Sequence, residues 1–90
     1  MLAPADIAEV ERQLAAMRDE WRRLNREHEN LEFAPQTGDP EAEQRIADRL
    51  VEVQADMAAL RAQAMRLVGE LSIAEHDRMF DIGLHPEEWE

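Results

Sequence analysis

Pro35-Gln36-Thr37-Gly38-Asp39-Pro40 decides the fold of this 90-residue chain. Proline at 35 bars a helix from continuing, and Gly38 can take the left-handed backbone that other residues resist. Asp39-Pro40-Glu41 reads as an N-cap, a first helical residue and a favourable early acid. The segment therefore stops one helix and starts another, with the connection predicted over residues 31–39. Leu31 and Phe33, apolar residues in an otherwise polar turn, are expected to cap the end of the helix contact.

Moving outward from the turn, two apolar runs appear. Before it stand Ile7, Val10, Leu14, Met17, Trp21, Leu24 and His28; after it stand Ile46, Leu50, Val53, Met57, Leu60, Ala64 and Leu67. Both follow the alternating three-and-four spacing of a coiled-coil seam. They are mirror images about position 37: Ile7 pairs with Leu67, Val10 with Ala64, Leu14 with Leu60, Met17 with Met57, Trp21 with Val53, Leu24 with Leu50 and His28 with Ile46. Every pair of numbers sums to 74, and Ala3 with Leu71 extends the series. The spacing predicts an all-α fold, an antiparallel two-helix coiled-coil hairpin whose register the mirror relation sets.

The first helix is expected over about 4–30, opening at Pro4 with Asp6 and Glu9 beside its positive end. The second is expected over about 40–71. Ser72-Ile73-Ala74-Glu75 fits a capping box, so a short third helix is expected over about 73–82, with Gly83 suited to its C-terminal cap. Residues 83–90 remain as a short acidic tail. Ninety residues with no break in composition read as a single domain, 1–90.

The second helix carries an apolar row besides its seam. Val51, Ala55, Ala58, Ala62 and Met65 recur at i+4, i+3, i+4 and i+3 on the side facing away from the first helix. The first helix has no matching row; Glu11, Arg12, Asp19, Arg22 and Arg26 occupy its outer face. Exposed apolar rows mark contact sites, and small alanines let another helix approach closely. The segment from Ile73 to Phe80 is too short to cover five positions spread over about four turns. The expectation is a homodimer, two hairpins joined in a four-helix bundle, with a different protein partner as the main rival occupant of the row.

Charge is uneven. The chain carries −11 overall, with 21 acids against 10 bases. Six acids and no Lys or Arg lie between Glu27 and Glu43, and seven acids against Arg78 alone lie between Glu70 and Glu90, so the turn and the tail are acidic and the remainder is close to neutral. Such a charge disfavours contact with nucleic acid or anionic lipid and favours basic partners. All ten bases are arginine, as a GC-rich bacterial genome would encode. The absence of cysteine excludes a disulfide, a thiolate metal site and a cysteine nucleophile. With no secretory leader and no stretch of the roughly 20 apolar residues that a membrane span needs, the expected location is the cytoplasm.

Candidates for chemistry are few. His28 sits near the acidic turn but no second histidine lies within a turn, so it reads as a seam residue. Arg18, Arg22, Arg23 and Arg26 surround Trp21; pairing with Asp19, Glu20, Glu27 and acids of the facing helix accounts for them, and packing opposite Val53 accounts for Trp21. With one serine, no lysine and no glycine-rich phosphate loop, the chain is expected not to be an enzyme and to need no cofactor or metal. The tail offers two readings. Phe80, Leu84 and Trp89 among acids could form a linear motif docking in a basic groove, since tryptophan is enriched at binding hot spots; or Trp89 could fold onto the base of the hairpin. The expected partner-binding set is thus Val51, Ala55, Ala58, Ala62, Met65, Phe80, Leu84 and Trp89. The function expected is protein–protein interaction or assembly by helix packing. The alternative is an acidic inhibitor, of the phage or mobile-element type, that blocks a nucleic-acid-binding surface.

Overall fold

A computed structural model describes residues 4–90, and it is all-α among them: α1 (Pro4–Glu32), α2 (Pro40–Val68) and α3 (Ile73–Asp81), followed by a single 3-10 turn at Pro86–Glu88. α1 and α2 pack side by side as a hairpin, giving an elongated molecule of 56 × 18 × 17 Å. No described helix is long and apolar enough to cross a membrane.

Local chemistry sets the ends of the elements. Gly38 has φ +76°, the left-handed value that only glycine adopts without strain. The Asp39 side chain accepts the backbone N–H of Glu41, with Pro40 at the start of α2. Ser72 and Glu75 form both halves of the capping box on α3. Gly83, at φ +75°, follows the end of that helix.

Two boundaries shift from the sequence expectation. α1 runs two residues further, to Glu32, before the backbone must become extended ahead of Pro35. α2 stops at Val68 rather than at 71. Gly69 is a poor helix former, and the chain tightens there, with Glu70 N–H on the Leu67 carbonyl and Leu71 N–H on the Val68 carbonyl. This frees Ser72 for the extended backbone its capping role needs. Ala3, the proposed partner of Leu71, lies outside the described residues.

The seam residues face inward. Val10, Leu14, Trp21 and Leu24 of α1 and Val53 and Ala64 of α2 are buried, and Met17, Met57, Leu60 and Leu67 pack against the core. Phe33 departs from expectation: it is 80% exposed and caps nothing. Its N–H closes the last turn of α1 on the Glu29 carbonyl, where its ring projects from the hairpin instead of folding over it.

The larger difference is in the tail. Residues 83–90 are not a free acidic extension. Leu84, His85, Pro86 and Trp89 are all buried, and Met79, Leu84 and Trp89 share one core cluster with Val10, Leu14, Trp21, Ala64 and Val68. α3 and the tail thus supply a third side to the open end of the hairpin. Val68, outside the seam register, is buried for this reason.

Candidate functional site

Arginine from each long helix holds the C-terminal segment. Arg18 of α1 donates through Nη1 to the Gly83 carbonyl at 3.3 Å, and Arg61 of α2 donates through Nη2 to the Trp89 carbonyl at 3.3 Å. Arg61 also lies over the Trp21 ring, 4.8 Å from its centroid, a cation–π contact in a partly dry setting. The Nε atoms of both arginines are buried without a hydrogen-bond partner; the nearest acid to Arg18 Nε is Asp19 at 4.0 Å. Arg78 of α3 reaches Glu11 of α1 at 3.3 Å. The expected surface patch around Trp21 therefore divides. Arg23 pairs with Glu20 on the surface, Arg22 and Arg26 stay exposed, and Arg18 clasps the tail.

Trp89 is 2% exposed. Its ring meets Trp21 at 6.3 Å with the planes tilted by 51°, and its Nε1–H donates to the Leu84 carbonyl at 3.1 Å. This satisfies the indole donor, as a buried tryptophan requires. Leu84, at 7% exposure, is buried beside it, and Phe80 is half-buried. Leu84 and Trp89 therefore do not form a docking motif offered to a partner. Their apolar area is already covered by α1 and α2, because the turn at Gly83 sends the tail back along the hairpin.

The outer row of α2 has the opposite fate. Val51 is 66% exposed and Met65 39% exposed, and Ala55, Ala58 and Ala62 are exposed as well. The C-terminal segment packs in the angle between the helices, not on this face, so nothing among the described residues covers it.

His28 is half-buried, 3.1 Å from Gln54 Nε2 through its Nε2 and 3.4 Å from a Glu32 carboxylate oxygen through its Nδ1. With Trp21, Asn25, Gln54 and Arg61 it lines a shallow groove between α1 and α2. Among the described residues, no three histidine or carboxylate side chains are grouped to hold a metal ion. Nearer the turn, Arg49 of α2 forks onto Glu27 of α1, with Nη2 2.9 Å from Oε1, and reaches Glu52 at 3.1 Å. The hydrogen bonds from Arg49 hold the Glu27 carboxyl below the usual carboxylate range.

Sequence reasoning missed His76 and His85. His85 is 1% exposed, lies flat on Phe80 with ring centroids 3.7 Å apart, and brings its Nε2 to 3.1 Å from His76 Nε2. Their separation of nine residues suggests no helical pairing, and only the turn at Gly83 brings them together. The available signal was Pro86, whose fixed φ favours a turn directly after His85. Here His85 Nδ1 accepts the Glu87 N–H at 3.2 Å. No family model, curated protein or solved structure matches the chain.

Proposed function

We propose that this chain is a protein–protein interaction or assembly module that acts by helix packing rather than catalysis, pairing with a second copy through the outer row of α2. The observation that carries the reading is the exposure of Val51, Ala55, Ala58, Ala62 and Met65 after the chain's own C-terminal segment has docked elsewhere. An apolar row spanning about four turns of a charged helix is a contact surface.

The charges beside the row favour an identical copy. At about 100° per residue, Asp48, Glu52 and Arg66 fall on one flank of it. Antiparallel pairing about a two-fold axis at Ala58 sets Val51 against Met65 of the second copy and Arg66 between that copy's Asp48 and Glu52. The same flank meets itself in such a pair, so acid faces base without any change of register. The alanines allow close approach, and the two hairpins form a four-helix bundle. The acidic turn, with Asp39, Glu41 and Glu43 at the start of α2, stays free at each end and suits a basic protein surface.

Sedimentation equilibrium or light scattering tests the pairing. The wild type is expected to be a dimer, and Val51→Glu with Ala58→Glu is expected to give a monomer of unchanged helicity, since both positions are exposed in the single chain. A wild type that stays monomeric at high loading overturns the reading.

A further inference from the structure

We infer that His76 and His85 form an acid-labile lock that holds the C-terminal segment, and with it Trp89, against the hairpin, so that protonation frees Trp89 and bares Trp21. This does not depend on dimerisation. The argument rests on where the ring protons must lie. The Glu87 N–H, only 3.2 Å from His85 Nδ1, is a donor and nothing else, so Nδ1 must be an unprotonated acceptor. A neutral His85 therefore carries its proton on Nε2. That proton points at His76 Nε2, 3.1 Å away, which must accept it, leaving the His76 proton on Nδ1. Both acceptor nitrogens of the pair are now occupied by hydrogen bonds. An added proton has two places to go, and each destroys a bond: on His85 Nδ1 it meets the Glu87 N–H, and on His76 Nε2 it meets the His85 N–H.

The same wiring argues against the pair as a metal site. A metal on His85 Nε2 would need the proton on Nδ1, where the Glu87 N–H already points.

The surroundings work in both directions, and their balance favours the neutral ring. Burial is the main influence lowering the His85 pKa below its ordinary value, with His76 adding to it, while Glu87 and Glu88 oppose. The stacked Phe80 ring would welcome a cation, but it restores neither lost hydrogen bond. From the long helices, one charge of the docked segment and two of its backbone carbonyls are engaged. Glu11 of α1 meets Arg78, Arg18 of α1 holds the Gly83 carbonyl, and Arg61 of α2 holds the Trp89 carbonyl. A proton on the pair gains no new acid from α1 or α2 among these contacts.

What the lock holds is specific. His85 caps the 3-10 turn Pro86–Glu88 that delivers Trp89 to Trp21, and the His85 N–H binds the Met79 carbonyl at the end of α3. Release of His85 thus removes the support of the turn and of Trp89 together. The chain has two tryptophans and both lie in this contact, so their fluorescence reports docking directly.

The test is a titration of the full chain from about pH 8 to about pH 5, where histidine changes charge while carboxylates stay ionised. The expected result is a red shift of tryptophan emission on acidification, with the α1 and α2 far-ultraviolet signal retained. The docked-to-free ratio should fall about tenfold per pH unit for each linked proton. His28→Gln should keep the transition, and His76→Gln with His85→Gln should abolish it, whichever state that variant adopts. Nitrogen-15 shifts of the wild-type histidines should place the neutral proton on Nε2 of His85 and Nδ1 of His76, a result independent of any variant. Flat emission across the range, a transition that survives in the double variant, or an Nδ1 proton on His85 would each overturn the inference. So would saturable stabilisation by zinc at neutral pH that vanishes in His85→Gln, which would assign the pair to a metal.

Discussion

Near the turn, two helices face each other alone: Leu31, Ile46 and Leu50 are half-buried, and Phe33 stands 80% exposed. At the open end of the hairpin, α3 and the tail close a third side. There Leu14, Val68 and Met79 are buried to 1% exposure or less. The same heptad chemistry underlies both ends, so the difference comes from the third element. Near the turn the two-helix seam buries Leu24 and Val53 but leaves part of Leu31, Ile46 and Leu50 in water, and stabilisation scales with the area removed. The end near the turn relies instead on charge, with Arg49 bridging Glu27 and Glu52, interactions that water and salt weaken.

That contrast can be broken from its strong end first. Trp89→Ala should cost about 3–5 kcal/mol, the range for truncating a buried large aromatic, whereas Leu50→Ala should cost clearly less because Leu50 is only half-buried. Urea unfolding of the two variants compares them; equal losses would mean that the docked tail contributes nothing beyond the seam. The effect of pH comes next. The folded-state pKa of His85 is lowered, so its neutral form stabilises the fold above about pH 6.5, its ordinary value. That contribution is lost as pH falls through the lowered value, at about 1.4 kcal/mol for each unit of displacement. Amide protection factors, in which the pH dependence of intrinsic exchange cancels, should accordingly fall at Leu84, His85 and Trp89 in mild acid, while those of Leu50 and Val53 stay unchanged.

Smaller again is the loss of a cap, about 1 kcal/mol for either Asp39→Ala or Ser72→Ala. The two should differ in their reach. Ser72→Ala loosens α3 and should raise the exposure of Trp89 to a collisional quencher; Asp39→Ala, at the far end, should leave quenching unchanged. Phe33→Ser should fall within about 0.5 kcal/mol of wild type in the same unfolding experiment, as surface positions do. A larger loss would show that the exposed ring is covered in solution, by a second copy or another partner.

Much of the hairpin was legible in the residues because its signals are local or periodic. Asp39 with Pro40, Gly38, and the Ser72–Glu75 box each act within one turn of chain, and each stands in the structure where the sequence places it. The inward seam from Val10 to Leu24 was legible for a similar reason, since a heptad spacing defines a face whatever that face meets. Phe33 was misread because apolar character alone does not say whether a neighbour is within reach to cover it. The outer row of α2 was legible as an apolar face, and its exposure follows from where the tail went.

The destination of the tail was not legible, and it governs most of the candidate site. Gly83 meets Arg18 across 65 positions of sequence, and Arg61 meets Trp89 across 28. Neither contact leaves a pattern in the chain, because arginine on a helix surface reads the same whether it is solvated or clasping a carbonyl. The amino-acid order alone therefore established the helices, their caps and the seam, all of which depend on neighbours in the chain or on a face defined by period. Packing in three dimensions settled that Trp89 is core, that His76 meets His85, and that the row from Val51 to Met65 is left exposed. Those outcomes turn on which of several apolar surfaces a short terminal segment can reach and bury, and that competition is resolved only when all of them are assembled together.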